Sequence, residues 1–372
     1  MNNRNNRNDR KEKEKEKEKE KENAEQATEK AKREKSVRNK TIDFSLNSEE
    51  GQRYGAMSLP MQRLSEQAEE TEREANFSLA LDRIVCGDAF AVLSRLPKGF
   101  ADLIVVDPPY NLTKDFHGNR FAAQSLLQYR QYTEQWMDCV LPCLKPTGTL
   151  YVCCDWYSGM TIAPLLAERL CLRGRITWQR EKGRGAQKNW KNGMEDIWFA
   201  TASEKEDYTF CLEDVKVRRR VLAPYREAGV PKDWQQSDAE KFRDTCPSNF
   251  WDDISIPYWS MAENTAHPTQ KPEKLLAKLI LASSNAGDLV LDPFAGSGST
   301  AVTAKKLGRH FLAIEQNPLY CAWGEKRLCD ADEDSRIQGY EDGVFWERNT
   351  SDYLLQKNRL KAQNKKKEPE KK

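Results

Sequence analysis

Histidine is scarce in this sequence: only His117, His267 and His310 occur in 372 residues. Spaced that widely, and with no Cys-x-x-Cys pair beside them, they make no zinc-ligand pattern. Ten cysteines in a chain of this length, without a secretory leader, argue against a disulfide framework and for a reducing compartment. No apolar run reaches membrane-spanning length, and the amino terminus is polar and charged. The expectation is a cytoplasmic protein with no membrane partner and no metal. Net charge is only +2, so the whole-chain balance says nothing about nucleic acid. Two phosphate signatures are also missing. The glycine turn after Asp292 is not followed by Gly-Lys-[Ser/Thr], and it lacks the third glycine of a dinucleotide fingerprint.

What charge there is collects at the ends. Residues 1–76 are nearly all polar, with a Lys-Glu alternation from Lys11 to Glu22 that offers no apolar face to bury. They read as a disordered tail, as do the basic residues 351–372. One catalytic domain is expected over 77–350. Within it, short apolar runs alternate with helix-period segments: a strand around Asp82–Asp88, a short helix Ala89–Leu96, a strand Leu103–Val106, a helix over 123–144, and a strand Thr149–Cys154. A helix Ala163–Leu172 and strands Arg175–Gln179 and Asp196–Thr201 follow. That rhythm predicts a mostly parallel, twisted α/β sheet. From 202 to about 262 the rhythm stops. Basic residues there (Lys216, Arg218, Arg219, Arg220, Arg226) interleave with Tyr225, Trp234, Phe250, Trp251, Tyr258 and Trp259. Charges meet phosphates and rings stack on bases, so this insertion reads as either a nucleic-acid surface or an ordinary surface insertion with its own small core, and the motifs that flank it favour the first. Residues 339–349 carry no assignable role, although Asp342-Gly343 suggests a late hairpin.

Two stretches carry chemistry. The strand Leu103–Val106 runs directly into Asp107-Pro108-Pro109-Tyr110. Two prolines fix the backbone, so a carboxylate and a rigid carbonyl become paired acceptors for one NH₂ group, and Tyr110 offers a flat face for a planar ring. The following loop, through His117-Gly118-Asn119, is a candidate lid, and His117 reads as a solvated loop histidine. Far downstream, His267-Pro-Thr-Gln-Lys-Pro272 precedes an apolar helix, and then a strand enters Asp292-Pro-Phe-Ala-Gly296-Ser-Gly298. Glycines there permit a tight turn and close approach of a ligand. The next strand ends in Glu315, placed to accept both hydroxyls of a ribose.

Taken in this order, the motifs resemble those of the β class of amino-methylating DNA methyltransferases, in which the Asp-Pro-Pro-Tyr half precedes the glycine turn. The resemblance covers roughly 80–330. It implies a Rossmann-like, circularly permuted fold with an inserted target-recognition region, S-adenosylmethionine as cofactor, and duplex DNA as partner, with the target base flipped out. It implies that Asp292, Phe294, Gly296, Ser297 and Gly298 line the cofactor's methionine end. Glu315 would hold the ribose, Asp88 would approach the adenine amine, and Thr269 and Lys271 would sit near the carboxylate. Asp107, Pro108, Pro109 and Tyr110 would hold the target amine and ring, for direct transfer without a cysteine nucleophile. Aspartate in first position points to adenine N6, with cytosine N4 as the alternative. The analogy further implies a restriction-modification setting, with a companion endonuclease and a homodimer. RNA or protein-amide methylation, and a silent DNA-binding relic, fit the motif order and intact residues less well.

Overall fold

The structure is a computed structural model, and it describes residues 39–347 apart from 68, 181–187, 206, 222–225, 228, 232–233 and 237–240. The Lys-Glu run and the residues from 351 onward lie outside the described residues. The chain divides into two compact units, Met1–Ile42 with Tyr258–Asn264, and Asp43–Pro257 with Thr265–Lys372. Within the first, Lys40 N–H donates to the Trp259 carbonyl at 2.7 Å and Ile42 N–H to that of Asn264 at 2.9 Å. All that follows concerns the second.

Nine strands build its main sheet: β1 (Leu59–Pro60), β2 (Arg83–Cys86), β3 (Ala101–Val106), β4 (Leu144–Cys154), β5 (Cys171–Gln179), β6 (Met194–Thr201), β7 (Phe250–Trp251), β8 (Leu289–Asp292) and β9 (His310–Glu315). Their spatial order is β1-β2-β9-β8-β3-β4-β6-β5-β7. Every pairing is parallel except the two made by β6, which runs against β4 and β5. The expected α/β sheet is therefore present.

Alternate residues of each strand face opposite layers. Ile104 and Val106 of β3 join a core with α2 (Glu70–Ala80), α3 (Ala89–Leu93), α4 (Leu126–Val140) and α5 (Trp156–Arg169). Leu103 and Val105 join the opposite core with α6 (Glu273–Ser283), α7 (Ser299–Lys306) and α8 (Pro318–Glu333). A sheet covered on both faces needs strands that are apolar throughout, which is how these runs read. The helices after the neighbouring strands β8 and β3 leave to opposite faces, so a crevice opens between their carboxyl ends.

Several boundaries differ from the sequence reading. Residues 43–76, assigned to the tail, contain α1 (Glu49–Gly55), β1 and most of α2. Their few apolar residues are spent efficiently: Tyr54, Leu59 and Leu64 are buried, and α1 packs on α8. The helix expected to run to 144 stops at Val140 and passes through a 3₁₀ turn containing Pro142, after which β4 begins at Leu144. Helix α5 starts earlier than expected because Asp155 caps it, accepting the Ser158 N–H at 2.9 Å. The insertion forms a second sheet, and residues 340–346 complete it. Tyr340–Glu341 and Val344–Trp346 are a hairpin whose turn residues Asp342 and Gly343 both have positive φ, and Val344–Trp346 pairs with Val217–Arg220. Its Val217 and Phe345 pack on Ala277 and Leu281 of α6. Helix α6 is thus enclosed between two sheets, and all eleven of its residues are buried. Among the described residues no helix is long and apolar enough to cross a membrane.

Candidate active site

A cavity of about 590 Å³ opens at the carboxyl ends of β3, β8 and β9. Asp107 through Tyr110 line one side, and Asp292 through Ser297 with Glu315 line the other. Asp88, Thr269 and Lys271 also border it. The two motifs that lie far apart in the chain therefore meet at one rim, because β3 and β8 are adjacent parallel strands.

The glycine turn is shaped by close approaches. Gly296 has φ 52°, and a Cβ there would stand 3.0 Å from His267 Nε2. Gly298 has φ 75° and packs against the backbone of Gly324 in α8, 3.1 Å from where a Cβ would be. Both positions demand glycine for conformation and for space. Arg327 supports the turn from α8, donating to the Ser297 carbonyl at 2.8 Å and to Ser299 Oγ at 2.9 Å, while also pairing with Glu273 at 2.9 Å. Phe294 N–H donates to Asp292 Oδ1 at 3.0 Å. Glu315 accepts the Gly296 N–H at 2.9 Å and the Asn317 N–H at 2.8 Å. Burial pushes both carboxyls up to about 7, against the pull of these N–H groups and, for Asp292, of Thr300. Asp88 caps α3 by accepting the Ala91 N–H at 3.0 Å.

On the other side, the Asp-Pro-Pro-Tyr turn is pinned from below. Tyr129 of α4 donates to the Pro109 carbonyl at 3.1 Å, and the buried Asn111 donates its N–H to Ser158 Oγ at 2.9 Å. Tyr110 donates its hydroxyl to Asp107 Oδ1 at 2.9 Å. Burial, reinforced by Asp107 and Glu195, holds that phenol well above its ordinary value, so it stays neutral. Lys271 was expected near the cofactor's carboxylate. Its ammonium instead reaches Asp107 Oδ2 at 2.6 Å, Tyr110 Oη at 3.1 Å and Glu195 Oε2 at 3.4 Å. Burial works to lower the lysine's proton affinity, but Asp107 and Glu195 outweigh it and raise the net value.

The stretch after Tyr110 forms a hairpin, Lys114–Phe116 with Asn119–Phe121. Leu112, Phe116 and Phe121 face the cavity. His117, expected to be a solvated loop residue, ties this hairpin down. Its Nδ1 lies 2.7 Å from Tyr320 Oη, and its ring stands edge-on to Tyr320 and Trp323. It has a positive φ of 51° and stays exposed, as the sequence reading had it, but its contacts with α8 were not legible from sequence position. His267 stacks edge-on to Tyr320 at 4.5 Å, and burial beside Lys271 and Lys114 lowers it to about 3, so it is neutral.

Glu195 and Arg180 were missed. Strand β6 is reversed, so its first residues reach the same rim as the ends of its neighbours. Glu195, only 4% exposed, pairs there with Arg180 at the end of β5. A carboxylate two residues into a strand that buries apolar neighbours was the one available signal.

Comparison with known proteins is consistent with this geometry. Residues 101–326 match the family model N6_N4_Mtase, described as DNA methylase. The chain is 32% identical over 261 residues to the type II methyltransferase M.HpaI of Haemophilus parainfluenzae, covering 70% of this chain and 76% of that protein. It is 35% identical over 255 residues to the DNA adenine methyltransferase YhdJ of Escherichia coli K12, covering 66% and 82%. Among solved structures, a cytosine-N4-specific PvuII DNA methyltransferase aligns with TM-score 0.49 at 18% identity, over 68% of this chain and 92% of that one. An M1.HpyAVI–SAM complex aligns with TM-score 0.43 at 24% identity, over 66% and 98%.

Proposed function

Since the chain belongs to the N6/N4 DNA methylase family, we propose that it methylates the N6 amine of adenine in duplex DNA with S-adenosylmethionine as donor. The observation that carries this reading is the cavity shared by the Asp107–Tyr110 turn and the Asp292–Ser297 turn; Gly298 backs that turn against Gly324. One side offers acceptors for an amine, the other a nucleoside pocket.

The residues present fit the cofactor. The turn at Gly296 and the half-buried carboxylate of Glu315 border the cavity side by side. Asp292, Phe294, Gly296, Ser297 and Gly298 would hold the methionine end, Glu315 the ribose, and Asp88 and Thr269 the remaining polar edges. When bound, S-adenosylmethionine supplies an electrophilic methyl group on a sulfonium.

The protein's task is to make a poor nucleophile competent. The lone pair of an exocyclic amine is delocalised into its ring. Donation from that NH₂ to Asp107 and to the Pro108 carbonyl draws the nitrogen toward tetrahedral geometry. Asp107 then stabilises the positive charge that grows on it. Tyr110 supplies the stacking face, held in place by its bond to Asp107. A base within a duplex cannot enter this crevice, so it must be extruded. The basic and aromatic sheet of the insertion is the target-recognition surface in this reading, braced by Arg218, which pairs with Asp244 at 2.8 Å and lies over the rings of Phe242 and Trp346. A companion endonuclease and a homodimer belong to the same reading by family analogy, and the free cysteines support a cytoplasmic location.

The test is product identity. Unmethylated DNA incubated with protein and S-adenosylmethionine, then digested to nucleosides, should yield N6-methyladenine by mass. N4-methylcytosine would move the reading to the other amine, and no methylated base would end it.

A further inference from the structure

Asp107 must accept the target amine, yet both of its oxygens are already engaged. Oδ1 accepts from Tyr110 at 2.9 Å and Oδ2 from Lys271 at 2.6 Å. The Lys271 ammonium stands where a donor nitrogen of the base has to act. While it stays there, it cancels the negative charge that Asp107 needs to stabilise a cationic nitrogen. The third donor direction of Lys271 points at Glu195 Oε2, at 3.4 Å, an ion-pair distance longer than a full charge-assisted bond. Glu195 Oε1 is held by Arg180, so the carboxylate is fixed in place with its other oxygen facing Lys271 and, at 3.3 Å, the Tyr110 hydroxyl. A displacement of about half an ångström at the end of a flexible four-carbon stem is enough to complete that second bond. Charge is conserved throughout: two carboxylates face two cations before and after, and only the pairing changes.

We propose that Glu195 is a positioning residue that draws the Lys271 ammonium off Asp107 as the target amine docks, with Lys271 serving as an internal stand-in for that amine. This inference rests on the methyltransferase reading above and deepens it. Lysine on Asp107 keeps the acceptor ordered and satisfied. Lysine drawn toward Glu195 loosens its short bond to Asp107 Oδ2 and opens that oxygen to the substrate amine.

The test uses the full-length protein, duplex DNA carrying its site, and labelled S-adenosylmethionine, with single-turnover methylation and cofactor binding measured separately. Glu195→Gln removes the receiving charge and should slow single-turnover transfer by about thirtyfold, the worth of one charge-assisted hydrogen bond. Its cofactor affinity should stay within about twofold, which also reports that it is folded. Glu195→Asp keeps the charge and should recover most of the rate. The double variant Glu195→Gln/Lys271→Gln should be faster than Glu195→Gln alone, because no ammonium remains trapped on Asp107. A double variant slower than either single one, or a Glu195→Gln enzyme as fast as the unaltered protein, overturns the proposal and leaves the methyltransferase reading standing. An unaltered protein that transfers no methyl group to DNA sinks both.

Discussion

Two lysine–carboxylate clusters lie a few residues apart around the start of α6, and they do different work. In one, Lys271 meets Asp107, Tyr110 and Glu195 at the rim of the cavity. In the other, Lys274 and Lys278 share Asp253, at 2.7 and 2.8 Å. The second cluster is closed. Lys274 also donates to the carbonyls of Asp253 and Trp346, at 2.9 and 2.5 Å, and Lys278 sits against the rings of Trp251 and Phe345. It rivets the helix to the insertion and to the late hairpin. The first cluster has comparable burial, yet it borders open space, and its Lys271 lies between two carboxylates, one of which, Glu195, is also held by Arg180. A closed ion cluster fixes a structure, whereas a cluster whose ammonium lies between two acceptors beside a cavity can exchange partners.

The sharpest way to break this comparison is to remove each central carboxylate. Asp107→Ala should lower methyl transfer by about a thousandfold or more, as losing a group that stabilises developing charge does. Its cofactor affinity and denaturation midpoint should change little, since Glu195 remains for Lys271. Asp253→Ala should do the reverse. Two buried ammonium groups lose their shared counter-ion, at a cost of about 3–5 kcal/mol in unfolding free energy by chemical denaturation. The folded fraction should still methylate. If Asp107→Ala destabilises as strongly as Asp253→Ala, the two clusters are alike and the distinction fails.

A smaller effect sharpens the cavity side. Glu315 is pushed up to about 7, from an ordinary value of 4.5, chiefly by burial. Below that pH it carries a proton and offers fewer acceptor sites to a ribose. Affinity for S-adenosylmethionine should therefore fall by about tenfold from pH 8 to pH 6, read by equilibrium dialysis. The sign for stability is opposite. A carboxyl whose folded value is raised favours the folded state at low pH, and that contribution is lost as pH rises from the unfolded value through about 7. Weaker cofactor binding at pH 6 therefore cannot be put down to this group's unfolding the protein.

Much of the frame was legible because its signals are local. The runs Leu103–Val106 and Leu289–Asp292 are short, apolar and closed by turn residues, so strand and site came together. The glycines at 296 and 298 announced a turn that only glycine can make, and Asp342-Gly343 announced the late hairpin. What stayed hidden depends on partners distant in sequence. Residues 43–76 look like tail because their polar majority masks a few apolar residues that pack on α8. The hairpin at 340–346 has no visible purpose until it pairs with Val217–Arg220 across the insertion. Glu195 reaches the site only because β6 runs backwards.

Sequence alone determined the chemistry on offer: a proline-fixed carboxylate and ring, a glycine turn, and an acidic strand end, each set by short-range backbone rules. Only the tertiary structure decided which of these groups face one another. Adjacency of β3 and β8, the reversal of β6 and the inward turn of Lys271 come from sheet order and from burial competing over long distances. Those forces couple residues more than a hundred positions apart, beyond what local pattern can encode.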